Sequence, residues 1–210
     1  MMIKREIYLE KIRNFYDSEL IKVIMGIRRC GKSVLLMQII EELKEKGIKE
    51  DHIIYINFED YDFIEYTDPK KFNELIKSKI KDEKKYYLFF DEIQSVIDFE
   101  KVVNSFRATM NVSIFITGSN SKLLSGEFAT YLTGRIISIK MMPFTYSEFL
   151  ELKKSKHEEI NEKAISEYVE WGGMPLIYNT TNEIERKMYL RDLYSAIILK
   201  DIVERSKIKD

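Results

Sequence analysis

Among the 210 residues there is a single cysteine, Cys30. A disulfide needs two, so an internal disulfide framework is excluded, and the scarcity of thiols fits a reducing compartment. Long hydrophobic runs are also missing. No stretch approaches the roughly 18 uncharged apolar residues that a membrane-spanning helix requires. The opening MMIKREIYLEKIR lacks the apolar centre of a signal peptide. A cytoplasmic protein with no membrane partner is expected. Neither sign of charge dominates: 34 Lys and Arg stand against 35 Asp and Glu, for a net charge of −1. That balance provides no overall attraction to nucleic acid or lipid and leaves only a local basic patch open. His52 and His157 stand far apart, so the sequence holds no imidazole-based metal cluster. There is no internal repeat and no low-complexity linker.

The remaining composition is that of a globular chain. Hydrophobic residues make up 45% and charged residues 33%, and 13 Tyr and 12 Phe supply a sizeable core. The length predicts one to two domains. Short apolar runs read as strands: IKVIM (21–25), HIIYINF (52–58), YYLFFD (86–91), VSIFIT (112–117) and IISIKM (136–141). Most are continuous rather than alternating, as in a parallel sheet covered on both faces. Helical patterns fall between them. One covers 33–46, with Leu35, Leu36, Ile39, Ile40 and Leu43 on one stripe and Gly47 as its stop. Others run from Pro69 to about residue 80 and over 99–110. Alternation of this kind predicts an α/β fold with right-handed crossovers. After Pro143 the strand signal ends, and 145–210 reads as helices interrupted at WGGMP (171–175).

GIRRCGKS (26–33) places three basic residues in a glycine-bracketed turn between a strand and a helix. Gly26-x-x-x-x-Gly31-Lys32-Ser33 is the phosphate-binding loop pattern. Glycines let several backbone N–H groups converge, and the new helix aims its positive end at the same point. Lys32 is suited to the β- and γ-phosphates and Ser33 to Mg²⁺, so the missing negative group is a triphosphate. The expected binding stretch is Gly26, Ile27, Arg28, Arg29, Cys30, Gly31, Lys32, Ser33 and Val34. Arg28 and Arg29 either touch a phosphate or pair at the surface. Cys30, with no nearby histidine, reads as a small loop residue rather than a nucleophile.

YYLFFDEIQ ends an apolar strand in Asp91-Glu92, at the rim where ligands bind such sheets. Asp91 is expected to serve magnesium, and Glu92 to orient or deprotonate the attacking water. IFITGSNS ends the next strand in Thr117-Gly118-Ser119-Asn120. Either Ser119 or Asn120 is a candidate for holding that water or the γ-phosphate; ordinary turn chemistry is the alternative.

Loop, Asp-Glu strand and polar strand end, in this order, resemble the AAA+ ATPases. GIRRCGKSVLL, YINFED, FFDEIQ, ITGSNSKLLSGEFATYLTGR, MPFTYSEFL and GGMPLI are similar to a family of prokaryotic AAA-type ATPases related to the archaeal ATPases. The resemblance implies a P-loop fold: a parallel five-stranded sheet sandwiched by helices over 1–142, then a small all-helical lid and C-terminal helix over 143–210. It implies ATP and Mg²⁺ as ligands. It places Arg135 where AAA+ proteins carry an arginine that reaches a neighbouring subunit; a surface arginine is the alternative. Asn57 resembles a position that restrains the catalytic glutamate, and GGMPLIY carries no basic lid residue. The family's usual C-terminal half is not in this sequence, which implies a truncation or natural fragment.

Two functional classes follow: an ATPase whose turnover drives a conformational cycle on an unknown partner, or a nucleotide-gated module that binds DNA or protein with little turnover. Glu92 favours the first, and a small-molecule phosphotransferase is weaker than either. From 182 to 210 a helix carries Ile184, Met188, Leu193, Ile197, Ile198 and Ile202, with Tyr189, Leu190, Tyr194 and Leu199 on its flanks. So much apolar surface predicts association, as a homo-oligomer or with a lost domain; full packing against the chain's own lid is the alternative.

Overall fold

The structure is a computed structural model and describes residues 3–118 and 132–198. Five parallel strands form one sheet, β1 (Ile21–Gly26), β2 (Ile53–Asn57), β3 (Tyr86–Asp91), β4 (Val112–Gly118) and β5 (Ile136–Met141), in the order β2-β3-β4-β1-β5. The strands expected from the apolar runs are all present. β1, β3 and β4 are buried along their whole length, which is why they read as continuous apolar runs. β2 and β5 lie at the edges and are only partly covered.

Side chains alternate across the sheet and divide the core in two. Phe90 points to one face, where Phe58, Phe72 and Phe106 meet edge to face around α3 (Pro69–Lys79) and α4 (Phe99–Thr109). Phe89 points to the other and stacks on Phe115 at 4.6 Å. That face is covered by α2 (Lys32–Glu45), whose Leu35, Leu36, Ile39 and Leu43 are buried. Gly47, at φ +87°, ends α2: its N–H donates to Lys44 O and that of Ile48 to Leu43 O, satisfying two terminal carbonyls. Asp68 starts α3 by accepting from the N–H groups of Lys70 and Lys71, with Pro69 behind it.

Short 3₁₀ turns at Glu50–His52 and Ile93–Ser95 were not expected, nor were two longer elements. α1 (Glu6–Arg13) packs Tyr8, Leu9 and Ile12 beside α2, and a 3₁₀ turn occupies Tyr61–Thr67. Beyond β5 lie α5 (Tyr146–Ser155), α6 (Lys163–Trp171), a 3₁₀ turn at Pro175–Asn179 and α7 (Glu183–Ile197). A third cluster joins Ile3, Phe144, Phe149, Trp171, Ile177 and Tyr178 there. On α7 only Leu193 is buried, while Ile184, Met188 and Tyr194 are exposed. Leu199 and Ile202 lie outside the described residues. Among the described residues no helix is long and apolar enough to cross a membrane.

Candidate nucleotide-binding site

β1 delivers the chain to the rim at Gly26. A Cβ there would lie 2.5 Å from Met141 O and 2.7 Å from Cys30 Sγ, so only glycine lets the strand turn this close to β5. Gly31 adopts φ +102° at the mouth of α2. It has no side chain to cap the helix, so the first-turn N–H groups of α2 are left for an anion. Cys30 is fully buried beneath the loop, and burial pushes its thiol above the ordinary value despite nearby Lys32 and Arg5. That supports a packing role rather than a nucleophilic one. Ile27 packs against the α2-side core.

Lys32 is buried and folded back over the loop, its Nζ donating to Gly26 O (3.3 Å) and Ile27 O (3.4 Å). Across from it, 3.4 Å away, stands Glu92 Oε1. Glu92 follows β3 in the left-handed region at φ +51°, a conformation that costs a non-glycine residue on the order of 1 kcal/mol and points to a functional constraint. Its N–H donates to Thr117 Oγ1 (3.0 Å), and its Oε2 accepts from Gln94 Nε2. Asp91 is buried, with Oδ1 accepting from the Thr117 hydroxyl and Oδ2 from Tyr55 OH (3.0 Å). Burial, then the Asp91 charge, raises Tyr55 above the ordinary phenol range, so it remains a donor.

Thr117, Tyr55 and Gln94 hold the acidic pair Asp91 and Glu92 in place, and motif reading does not pick them out. Thr117 and Gln94 sit inside the strings that carried the motif, but nothing in their spacing says that they hold Asp91 and Glu92. Asn57 turns elsewhere in this structure: its Oδ1 accepts from Glu59 N–H (3.0 Å). Ser119 and Asn120 lie outside the described residues. Arg135 is exposed at the first turn of the chain into β5, with Nη1 3.3 Å from Asn104 Oδ1. The β1–β5 register runs from Ile21 opposite Ile136 to Gly26 opposite Met141. Arg135 is therefore at the far end of the sheet, roughly 20 Å from its own loop at ~3.3 Å per residue, and does not serve that loop.

The residues converge on a cleft of about 630 Å³, lined on the sheet side by Arg28, Lys32, Ser33, Val34, Glu59 and Glu92 and opposite by Pro175, Leu176, Asp192 and Leu193. A smaller cavity of about 180 Å³ adjoins it at Gly31, Val34, Pro175 and Leu176 and is closed by Ile3, Phe144 and Leu152. Arg29 lies over the Tyr189 ring of α7 at 5.6 Å. The hard oxygen donors Ser33 and Asp91 suit Mg²⁺, which takes one or two protein oxygens and completes its shell with water and phosphate. Among the described residues no group of three or more His, Cys, Asp or Glu forms a metal cage. His52 instead lies tilted against the Tyr86 ring, with centroids 4.6 Å apart.

Arg5, invisible to motif reading, ties the two sides together. Its buried guanidinium donates to Cys30 O (2.8 Å) in the loop, to Met142 O (2.7 Å) after β5, and to Glu148 Oε1 (2.7 Å) on α5. Glu148 also closes the capping box of α5 with Thr145.

The comparisons agree with this geometry. A family model described as AAA domain matches residues 18–150. An uncharacterized protein of Haemophilus influenzae is 41% identical over 211 residues, covering all of this chain and 52% of its own length. Another from Methanocaldococcus jannaschii is 38% identical over 217 residues, covering 100% of this chain and 46% of its own length. The chain thus spans about half the length of the curated relatives it matches. Among solved structures, AMPPCP-bound DnaA from Aquifex aeolicus superposes with a TM-score of 0.59 at 21% identity, over 97% of this chain and 66% of that one. Aeropyrum pernix ORC1 in complex with DNA gives 0.50 at 13%, over 75% and 50%. At these identities the likeness is one of fold. With its phosphate loop, Asp-Glu strand and five-stranded parallel sheet, the chain belongs to the AAA domain family and has the fold of the AAA+ P-loop ATPases.

Proposed function

We propose that this chain binds ATP with Mg²⁺ in the cleft and hydrolyses it to ADP and phosphate, using the cycle to change the relation of the core (1–142) to the lid (143–210). The observation that carries this reading is the Lys32–Glu92 pair at 3.4 Å, a phosphate-binding ammonium beside a carboxylate held in strained backbone. The base occupies the smaller apolar cavity, and the phosphates follow the loop N–H groups to Lys32. Lys32 exchanges Glu92 for phosphate oxygens, which frees the carboxylate. Glu92 then accepts a proton from water as the water oxygen bonds to the γ-phosphorus. The bond from that phosphorus to the β,γ-bridging oxygen breaks, and its electron pair leaves with ADP. Thr117 fixes both acidic residues through one hydroxyl, so Glu92 keeps its aim. Ser33 and Asp91 would hold Mg²⁺, which when bound offsets charge between the β- and γ-phosphates. The partner driven by the cycle is a protein or DNA. ORC1 was solved with DNA, and turnover with and without duplex DNA tests that choice.

Glu92→Gln is expected to keep ATP bound while slowing turnover by about 10²–10⁴-fold, the usual contribution of a positioned base. Lys32→Ala is expected to lose binding in titration calorimetry, and Mg·ATP to raise the melting temperature of the wild type through linkage. Wild-type turnover in Glu92→Gln would overturn the role of Glu92. A flat thermal shift at millimolar ATP would overturn the nucleotide reading.

A further inference from the structure

Arg28 stands at a loop position where the phosphate-loop pattern asks for no particular side chain. Its guanidinium lines the cleft with Lys32, Ser33 and Glu92. Its Nε is buried and makes no hydrogen bond. Glu59 approaches its Nη1 only to 3.8 Å, too far for a good charge-assisted hydrogen bond. The cation thus faces the cleft with donors still to satisfy. Arg29 differs, being laid on the Tyr189 ring.

The strand order fixes where Arg28 points. C-terminal strand ends line up as β2, β3, β4, β1, β5. Arg28 leaves β1 and meets Glu59, which follows β2. The Arg28–Glu59 approach therefore spans the ends of β4 and β3, the strand ends that carry Thr117 and Asp91, with Glu92 lining the same cleft. The smaller cavity lies on the opposite flank, against Ile3 and Phe144. A nucleotide with its base in that cavity and its phosphates along the loop directs its last phosphate toward Arg28.

We propose that Arg28 is a catalytic arginine supplied by the loop itself: when a nucleoside triphosphate binds, the guanidinium leaves Glu59 and takes the γ-phosphoryl oxygens, completing the site within one chain. This rests on the ATPase reading above. Negative charge spreads over those oxygens and the bridging oxygen as the bond to ADP breaks, and paired guanidinium N–H donors match them. Glu59 is the parking position for the cation while the site is empty.

Single-turnover hydrolysis of Mg·ATP and calorimetric titrations with ATP and ADP test this, using the wild type, Arg28→Ala, Arg28→Lys and Glu59→Gln. Arg28→Ala is expected to slow hydrolysis by about 10³-fold, the lower range for a catalytic arginine. It should weaken ATP by about 10-fold or more, one lost charge-assisted hydrogen bond, with much less effect on ADP. Arg28→Lys should recover little, because an ammonium lacks the planar fork. Glu59→Gln releases the arginine and should tighten ATP relative to ADP. The wild-type rate per chain should not change with protein concentration. Arg28 is a loop residue with a side chain 32% exposed, so its variants should fold, which melting curves check; Glu59→Gln probes the same transfer from the other side. Wild-type hydrolysis in Arg28→Ala with an unchanged ATP-to-ADP affinity ratio overturns the proposal alone. So does a rate that climbs with concentration and collapses in Arg135→Ala, since the arginine then comes from a neighbouring copy. A wild type that binds no ATP removes the ATPase reading itself, and this inference with it.

Discussion

Lys22 is the second residue of β1 and has no exposed surface. Its Nζ donates to Ser113 Oγ (2.6 Å) and Ser18 O (3.0 Å) and sits 4.6 Å from the Phe115 ring centre. Burial, helped by the Lys85 charge, pushes its pKa down from 10.5 to about 7. A neutral amine keeps two N–H donors, so both hydrogen bonds survive deprotonation. Below pH 7 the folded chain buries a charge and bears the full penalty. From about pH 7 to 10.5 the unfolded chain holds a proton that the folded one has released, so this residue's contribution to stability rises across that window. Lys22→Met should therefore stabilise the chain by about 1–3 kcal/mol at pH 6, with the gain shrinking toward pH 10. Urea unfolding at pH 6 and pH 9 checks this; an equal gain at both would show that the amine is not neutral when folded. Lys32, Asp91 and Glu92 could be picked out beforehand because they sit in short local patterns at the ends of apolar strands. Lys22, Thr117 and Tyr55 could not, because their importance comes from partners far away in the chain.

α1 is the element that periodicity failed to announce. It has 8 residues, and Glu10 and Lys11 part the buried Tyr8 and Leu9 from Ile12. Such a short helix is marginal alone and forms because it docks. What docks it is a clasp on α2: the Arg13 guanidinium meets both Glu6 and Glu42, Tyr16 OH donates to Glu42 (2.9 Å), and Lys4 stands 3.1 Å from it. Hydrogen bonds from Arg13 foremost, against burial, hold Glu42 down at about 2 from 4.5. The sign follows: the clasp stabilises fully above pH 4.5, and its contribution disappears as pH falls toward 2. Glu42→Gln should cost about 1–2 kcal/mol at pH 7, less than the shift alone suggests because Arg13 is partly solvated. At about pH 1.5, below the folded value, melting curves of variant and wild type should nearly coincide; a cost that persists there would place the clasp's strength in packing. The strands and α2 were readable because each repeats one burial environment along its length. The Tyr61–Thr67 turn, with no buried residue, had no period to read.

At the scale of the molecule, the sheet and its loop were readable, and the cleft was only half so. Pro175, Leu176 and Asp192 face the loop across a gap closed by tertiary packing, and no local pattern records that. The same holds for Arg5. Its contacts lie at Cys30, Met142 and Glu148, three points joined only when the fold is complete. Replacing one partner of such a buried pair typically costs about 3–5 kcal/mol, because the other charge is left stranded. The path from loop to α5 therefore runs through a rigid connection, and what reorganises the loop is felt at the capping box of α5.

The buried thiol beneath that loop makes it its own reporter. Cys30 has no exposed surface, and its carbonyl is gripped by Arg5. A disulfide reagent can react only during excursions that lift the loop off the sheet, so the labelling rate of this lone thiol measures how often the loop opens. A bound ligand that requires the closed loop must slow the reaction by a factor of 1 + [L]/Kd. Labelling that is slow without nucleotide, slower still in proportion to ATP, and unaffected by a non-phosphorylated nucleoside would put a clock on the opening of the loop. Labelling indifferent to ATP would mean that the loop stays lifted, or stays down, whatever it holds.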